Sequence, residues 1–323
     1  MVVDPYLGQQ LRPHQRAGVL FLYSRLLGFT NVKGLTGAEQ TVLGAILADE
    51  MGLGKTLQTV TIVWTLLKQS PIAGSVIARK VVVVAPSSLL KNWEKEFRKW
   101  LGNERITIHV ADTGDKVSQF RSYGNAPVLL LSYEMMVRCS KELFLVPWDL
   151  VVCDEAHRLK NSSSQAASCL ASLPCKRRLL LTGTPVQNDL GEFWCLLEAA
   201  APGLLGARQQ FSKLVEAKVE AGRQPGASEH EQEEGRMAME TLELMTKQLV
   251  LRRTAEVVKN FLPPKTVNVV FCRPLPAQAD IYATEVETLW CQVTFEFEKF
   301  IFKKNMQKRW REIQASIWQL SPD

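Results

Sequence analysis

The chain has 323 residues, 46% hydrophobic and 22% charged, enough apolar material to close one large or two ordinary cores. A net charge of +6 is compatible with a polyanionic partner without indicating one. No apolar run reaches the roughly 20 residues of a membrane helix, and the opening Met1-Val2-Val3-Asp4-Pro5 lacks a basic-then-apolar leader, so neither a membrane protein nor a secreted one is expected.

In chain order, continuous apolar runs at Ala45–Ala48, Val81–Ala85, Ile106–Val110, Val128–Leu131, Leu150–Cys153 and Leu179–Leu181 have the length and composition of strands buried on both faces. Helical periodicity fills the gaps at Thr56–Lys68, Ser88–Trp100 and Gln165–Leu173. The alternation predicts an α/β fold with a mostly parallel sheet and helices on both faces. After Gly203 the pattern turns helical, with helices over Phe211–Ala221 and Arg236–Val250. Gly222–Ser228 and the acidic run Glu229–Glu234 separate these helices and read as a flexible loop. Val267–Cys272, behind Pro263-Pro264, is a further candidate strand. Seven cysteines stand singly, with no Cys-x-x-Cys pair and four histidines in all, which argues against a disulfide framework or a zinc site. Cys153 and Cys195 read as small core hydrophobes.

Asp49-Glu50-Met51-Gly52-Leu53-Gly54-Lys55-Thr56 sits between a predicted strand and a predicted helix. There, Gly52 and Gly54 let the backbone curl so that its N–H groups face phosphate oxygens, and the helix N-terminus adds positive potential. Lys55 is the candidate for the β- and γ-phosphates of ATP, and the Thr56 hydroxyl for Mg2+. Asp49 stands where a phosphate loop usually has its first glycine, and the segment alone leaves an ordinary glycine-bearing helix start as the alternative. Asp154-Glu155-Ala156-His157, directly after an apolar strand, supplies the second element. Acidic residues at the carboxyl edge of an open α/β sheet lie where ligands bind. Asp154 can hold Mg2+, and Glu155 can orient or deprotonate an attacking water.

The loop and Asp-Glu-Ala-His together resemble the helicase-like superfamily-two ATPases. The wording of Leu11-Arg12-Pro13-His14-Gln15, of Leu47 to Gln58 and of Leu181-Thr182-Gly183-Thr184-Pro185-Val186-Gln187-Asn188 is similar to that of the Swi/Snf-type double-stranded DNA translocases, whose loop commonly starts with Asp. Val2-Val3-Asp4-Pro5, Asn92-Trp93, Lys99-Trp100-Leu101-Gly102, His157-Arg158-Leu159-Lys160-Asn161 and Leu262-Pro263-Pro264-Lys265 most resemble the Rad-type DNA repair and recombination motors, the B-paralogue branch in particular.

The resemblance implies a RecA-like P-loop NTPase lobe and ATP-driven movement on duplex DNA in homologous recombination, with a nuclear location and a recombinase filament as a further partner. It makes Gln15 an adenine contact and assigns Thr182 and Thr184 to coupling. It also places Pro86, Ser87, Ser132, Tyr133, Lys160 and Asn161 on the DNA backbone, where hydroxyls and amides position a duplex without reading its sequence. The bland readings are a surface amide for Gln15, a tight turn for Thr182–Pro185, a helix cap for Ser87, a strand end for Tyr133 and a solvated loop for Lys160 and Asn161. The implied organisation is a first lobe over 1–205, a helical insertion with a flexible acidic loop over 206–262, a bridge over 263–287 towards a second lobe that the sequence does not contain, and an atypical tail over 288–323. Arg252 and Arg253 fall near that bridge and read as structural rather than as transition-state arginines. Two alternatives remain: a nucleotide- or DNA-binding regulatory module with little hydrolysis of its own, and an RNA remodelling helicase.

Overall fold

Successive side chains of a strand point to opposite faces, so a strand buried on both must be apolar throughout. A computed structural model of the chain describes residues 1–286 apart from 36, 38, 73, 123–125, 160–163, 184–188, 262–265, 267, 269, 271 and 274, and apart from the side chains of 114, 115 and 260. The expected tail and half of the candidate strand Val267–Cys272 lie outside the described residues.

The order is α1 (Pro5–Gln10), α2 (Pro13–Leu26), β1 (Asn31–Lys33), β2 (Glu39–Thr41), β3 (Gly44–Leu47), α3 (Lys55–Lys68), β4 (Val81–Ala85), α4 (Leu90–Arg105), β5 (Ile108–Ala111), α5 (Gly114–Ser122) and β6 (Val128–Ser132). There follow α6 (Tyr133–Arg138), α7 (Ser140–Phe144), β7 (Leu150–Cys153), α8 (Gln165–Ser172), β8 (Arg178–Leu181), α9 (Leu190–Ala200), α10 (Arg208–Phe211), α11 (Ala217–Arg223), α12 (Glu229–Thr246) and β9 (Val250–Leu251). A π-helical turn, Ser212–Glu216, joins α10 to α11.

Seven strands form one sheet in the order β5-β6-β4-β7-β8-β3-β9. Every pairing in it is parallel. Val81, Val83, Leu150 and Val152 pack on one face with Val60, Trp93 and Phe97 of α3 and α4. Val82, Val84, Val151 and Cys153 pack on the other with Met136, Leu170 and Leu197 of α6, α8 and α9. The three-layer α/β architecture is therefore the expected one. Cys153 and Cys195 are buried, and burial pushes the Cys153 thiol up to about 12.

Two expectations are corrected. The acidic run Glu229–Glu234 is not a loop but the first turns of α12. Ser228 and Glu231 form a reciprocal capping box, with Glu231 Oε2 accepting from the Ser228 amide at 2.8 Å. Carboxylates also favour the positive N-terminal end of a helix, and Arg236 pairs with Glu233 and Glu240 one turn to either side. Ser228→Ala should cost about 1 kcal/mol, seen as a lower denaturant midpoint. The second correction concerns Val250, expected at a helix end. It starts β9, which adds to the sheet beside β3.

The chain divides into two compact units, Met1–Leu262 and Pro263–Asp323. In the second, the described residues include one helix, 276–286.

Candidate functional site

The segment between β3 and α3 turns on Gly52 and Gly54, whose φ values are +88° and +79°. Such angles favour glycine because a side chain there meets its own backbone. A Cβ on Gly52 would meet nothing within 4 Å, so this side of the loop is open. Gly54 is the N-cap of α3 and supplies no side-chain cap, which leaves the first N–H groups of the helix to a ligand.

Lys55 opens α3 and is half-buried; its Nζ donates to the Asp49 carbonyl at 2.7 Å. Burial lowers its pKa, against the charges of Glu155, Asp49 and Asp154. Thr56 follows it, half-buried. At the end of β8 the Thr182 amide donates to Leu47 O at 3.1 Å, and a Cβ on the next residue, Gly183, would lie 3.6 Å from Lys55 Nζ. The carboxyl ends of β3, β7 and β8 thus meet around one amine.

β7 delivers Asp154 and Glu155. Burial raises the pKa of Asp154, opposed by hydrogen bonds from Trp93 and from the Glu155 amide. Trp93 Nε1 donates to Asp154 Oδ2 at 2.8 Å, and the Glu155 amide to Asp154 Oδ1 at 2.9 Å. Glu155 itself has φ +49°, a left-handed conformation rare outside glycine. Such strain tends to persist at functional positions. Its Oε2 lies 3.2 Å from His157 Nδ1, close but not aligned as a hydrogen bond.

Gln15 is buried against the loop, its Nε2 donating to Leu53 O at 3.1 Å and its Oε1 accepting from the Arg12 amide at 2.9 Å. A primary amide has two donors and two acceptor sites, so one of each is left for a base. Pro86 is buried at the end of β4, while Ser87 and Ser88 are exposed on a short turn, Ser87–Leu89, leading into α4.

Ser132 and Tyr133, expected on the DNA backbone, both have buried side chains. Ser132 is 8% exposed and its Oγ caps α6 by accepting from the Met135 amide. Tyr133 is 4% exposed and its hydroxyl donates to the Asp154 carbonyl at 2.8 Å. The side chain that follows β6 fills the core behind β7 instead of facing solvent. Thr184, Lys160 and Asn161 lie outside the described residues.

The sequence marks Trp93 only as part of a resembling word and gives Gln58 no role. Gln58 is fully buried and its Nε2 reaches Asp49 Oδ2 at 3.3 Å. Arg253 completes this group by an ion pair to Asp49, while Arg252 is exposed. The available signal was Asp49 itself, because a carboxylate beside a buried strand needs a cation.

Among the described residues no group of three or more His, Cys, Asp or Glu is placed to hold a metal. One threonine hydroxyl and one carboxylate beside a phosphate loop instead suit Mg2+, which is commonly held by one or two protein oxygens together with substrate phosphates.

A family profile described as SNF2-related domain matches residues 14–320, including the stretch from 288 expected to be atypical. The chain is 45% identical over 282 residues to the DNA repair and recombination protein RAD54B of Homo sapiens, covering 87% of this chain and 30% of that one. It is 41% identical over 294 residues to the DNA repair protein rhp54 of Schizosaccharomyces pombe, covering 87% and 34%. The chain thus spans about a third of the length of these curated relatives. Among solved structures it resembles the Sulfolobus solfataricus SWI2/SNF2 ATPase core in complex with dsDNA, with TM-score 0.60 and 28% identity, over 96% of this chain and 57% of that one.

Proposed function

The chain belongs to the SNF2-related domain family, and from that premise we propose that it forms the nucleotide-binding lobe of an ATP-driven double-stranded DNA translocase acting in recombination and repair. The observation that carries this is the convergence of Lys55, Asp154 and Glu155 at the carboxyl ends of β3 and β7, parallel strands on either side of β8.

In this reading the N–H groups of Gly52 to Lys55 and the Lys55 amine hold the phosphates, and Gln15 offers its remaining donor and acceptor to adenine. Thr56 and Asp154 would hold Mg2+, which when bound neutralises charge on the phosphate oxygens. Glu155 orients the attacking water and accepts its proton. Thr182 and Thr184 couple the nucleotide to movement, and Ser87, Lys160 and Asn161 meet the DNA backbone. Residues 1–205 together with β9 form the lobe, α10 to α12 within 206–262 a helical insertion and 263–287 a bridge. A nuclear location is part of this reading, supported by the DNA-repair names of the relatives.

Trp93 steadies Asp154 through its indole N–H. Trp93→Phe keeps the ring and removes that donor, so half-maximal ATPase should need about tenfold more Mg2+. A Mg2+ titration of the rate checks this.

The reading as a whole is tested by ATP hydrolysis of this chain with duplex DNA, with RNA and with neither, beside Lys55→Ala. Stimulation by duplex DNA that is lost in the variant supports it. Equal rates in all three conditions would reject a DNA-coupled motor, and stimulation by RNA alone would point to an RNA remodeller. Nucleotide binding without turnover would favour a binding module.

A further inference from the structure

Asp49 has the first position of the phosphate loop, and its side chain is completely buried. It is held by a residue 204 positions away in sequence. Arg253 Nε donates to Asp49 Oδ1 at 2.9 Å, and its Nη2 forms the second arm of a fork to Oδ2. Nη2 also donates to Gln58 Oε1 at 2.9 Å, and Nη1 donates to the His14 carbonyl. One guanidinium therefore ties together the phosphate loop, α3 and α2.

The backbone makes the same connection. β9 pairs with β3, and the ladder continues past both strands into the loop, where the Glu50 amide donates to Arg253 O at 2.9 Å. Glu50 Oε2 in turn accepts from the Ala255 amide at 2.5 Å. α2 is shaped to admit this cluster, because a Cβ on Gly18 would lie 1.9 Å from Gln58 Oε1 and 2.9 Å from Arg253 Nη2.

We infer that Arg253 is a positioning residue for nucleotide binding: its bidentate grip on Asp49 sets the shape of the phosphate loop from the segment that follows β9. The inference rests on the nucleotide site proposed above. A glycine at the head of such a loop allows a turn through backbone freedom. This chain has a carboxylate there and fixes the turn through a planar fork, which constrains direction as well as distance. The loop's geometry therefore depends on residues 251–255 being docked.

Neutralising a buried charge is a structural task, whereas aiming a loop is a positioning one, and the two can be separated. Arg253→Gln alone leaves Asp49 buried and unpaired, which mixes a folding defect with any effect on the loop. Asp49→Asn/Arg253→Gln removes both charges, and Arg253→Lys keeps the charge without the fork. Mg-ADP binding would be measured by calorimetry on this 323-residue chain and on the two variants, together with their thermal midpoints without nucleotide. Both variants should melt within a few degrees of the parent yet bind Mg-ADP about tenfold or more weakly. Parental affinity in both variants would overturn the role of Arg253 alone. A parent that binds no Mg-ADP would overturn the nucleotide site and this role with it.

Discussion

Lys55→Met is expected to lower ATP hydrolysis by about 10² to 10³-fold, the scale of removing one preorganised electrostatic contact to developing charge, while leaving the fold at least as stable. Burial lowers the Lys55 pKa from its ordinary 10.5. For a depressed base the sign is definite. The cost to folding is absent above the ordinary lysine value, and it is complete once pH has fallen below the lowered folded value. Below that lowered value the folded protein without nucleotide carries the full cost of holding this cation half-buried, eased by Glu155, Asp49 and Asp154. Methionine keeps much of the stem's volume and deletes the charge. The thermal midpoint without nucleotide should be unchanged or higher, and the upward shift produced by Mg-ADP in the parent should vanish. A variant that melted well below the parent would show that Lys55 supports the fold rather than the phosphates.

Glu155→Gln is expected to lower the rate by about 10² to 10⁴-fold, the usual contribution of a positioned general base, with Mg-ADP affinity close to that of the parent. The separation follows from placement. Glu155 stands one residue beyond Asp154 in a left-handed conformation, so its side chain departs from the strand in a different direction from the carboxylate held by Trp93. Glutamine has the same length and can adopt the same backbone, but its amide cannot take a proton from water. Single-turnover hydrolysis and Mg-ADP calorimetry on the same preparation distinguish the two effects. A parallel loss of both would make Glu155 part of the binding surface instead.

These expectations draw on features of unequal legibility. The strands could be read because parallel strands buried on both faces must be continuously apolar, as Val81–Ala85 and Leu150–Cys153 are. The phosphate loop and Asp154-Glu155 could be read because their chemistry demands particular residue types at a strand end. The acidic run of α12 reads as a loop in the sequence because its charge suits solvent. What governs it is the capping box at Ser228 and the ion pairs of Arg236. The burial of the Ser132 and Tyr133 side chains was not legible, because a residue's place at a strand end says nothing of the direction of its side chain.

By itself the sequence determined the α/β class, the family wording and the position of the loop relative to the acidic pair, since each depends on residue type and local spacing. The tertiary structure alone decided how those residues are held. Trp93 reaches Asp154 across 61 residues and Arg253 reaches Asp49 across 204. Such partners are chosen by which strands lie side by side in the sheet, and that adjacency comes from packing rather than from any local pattern.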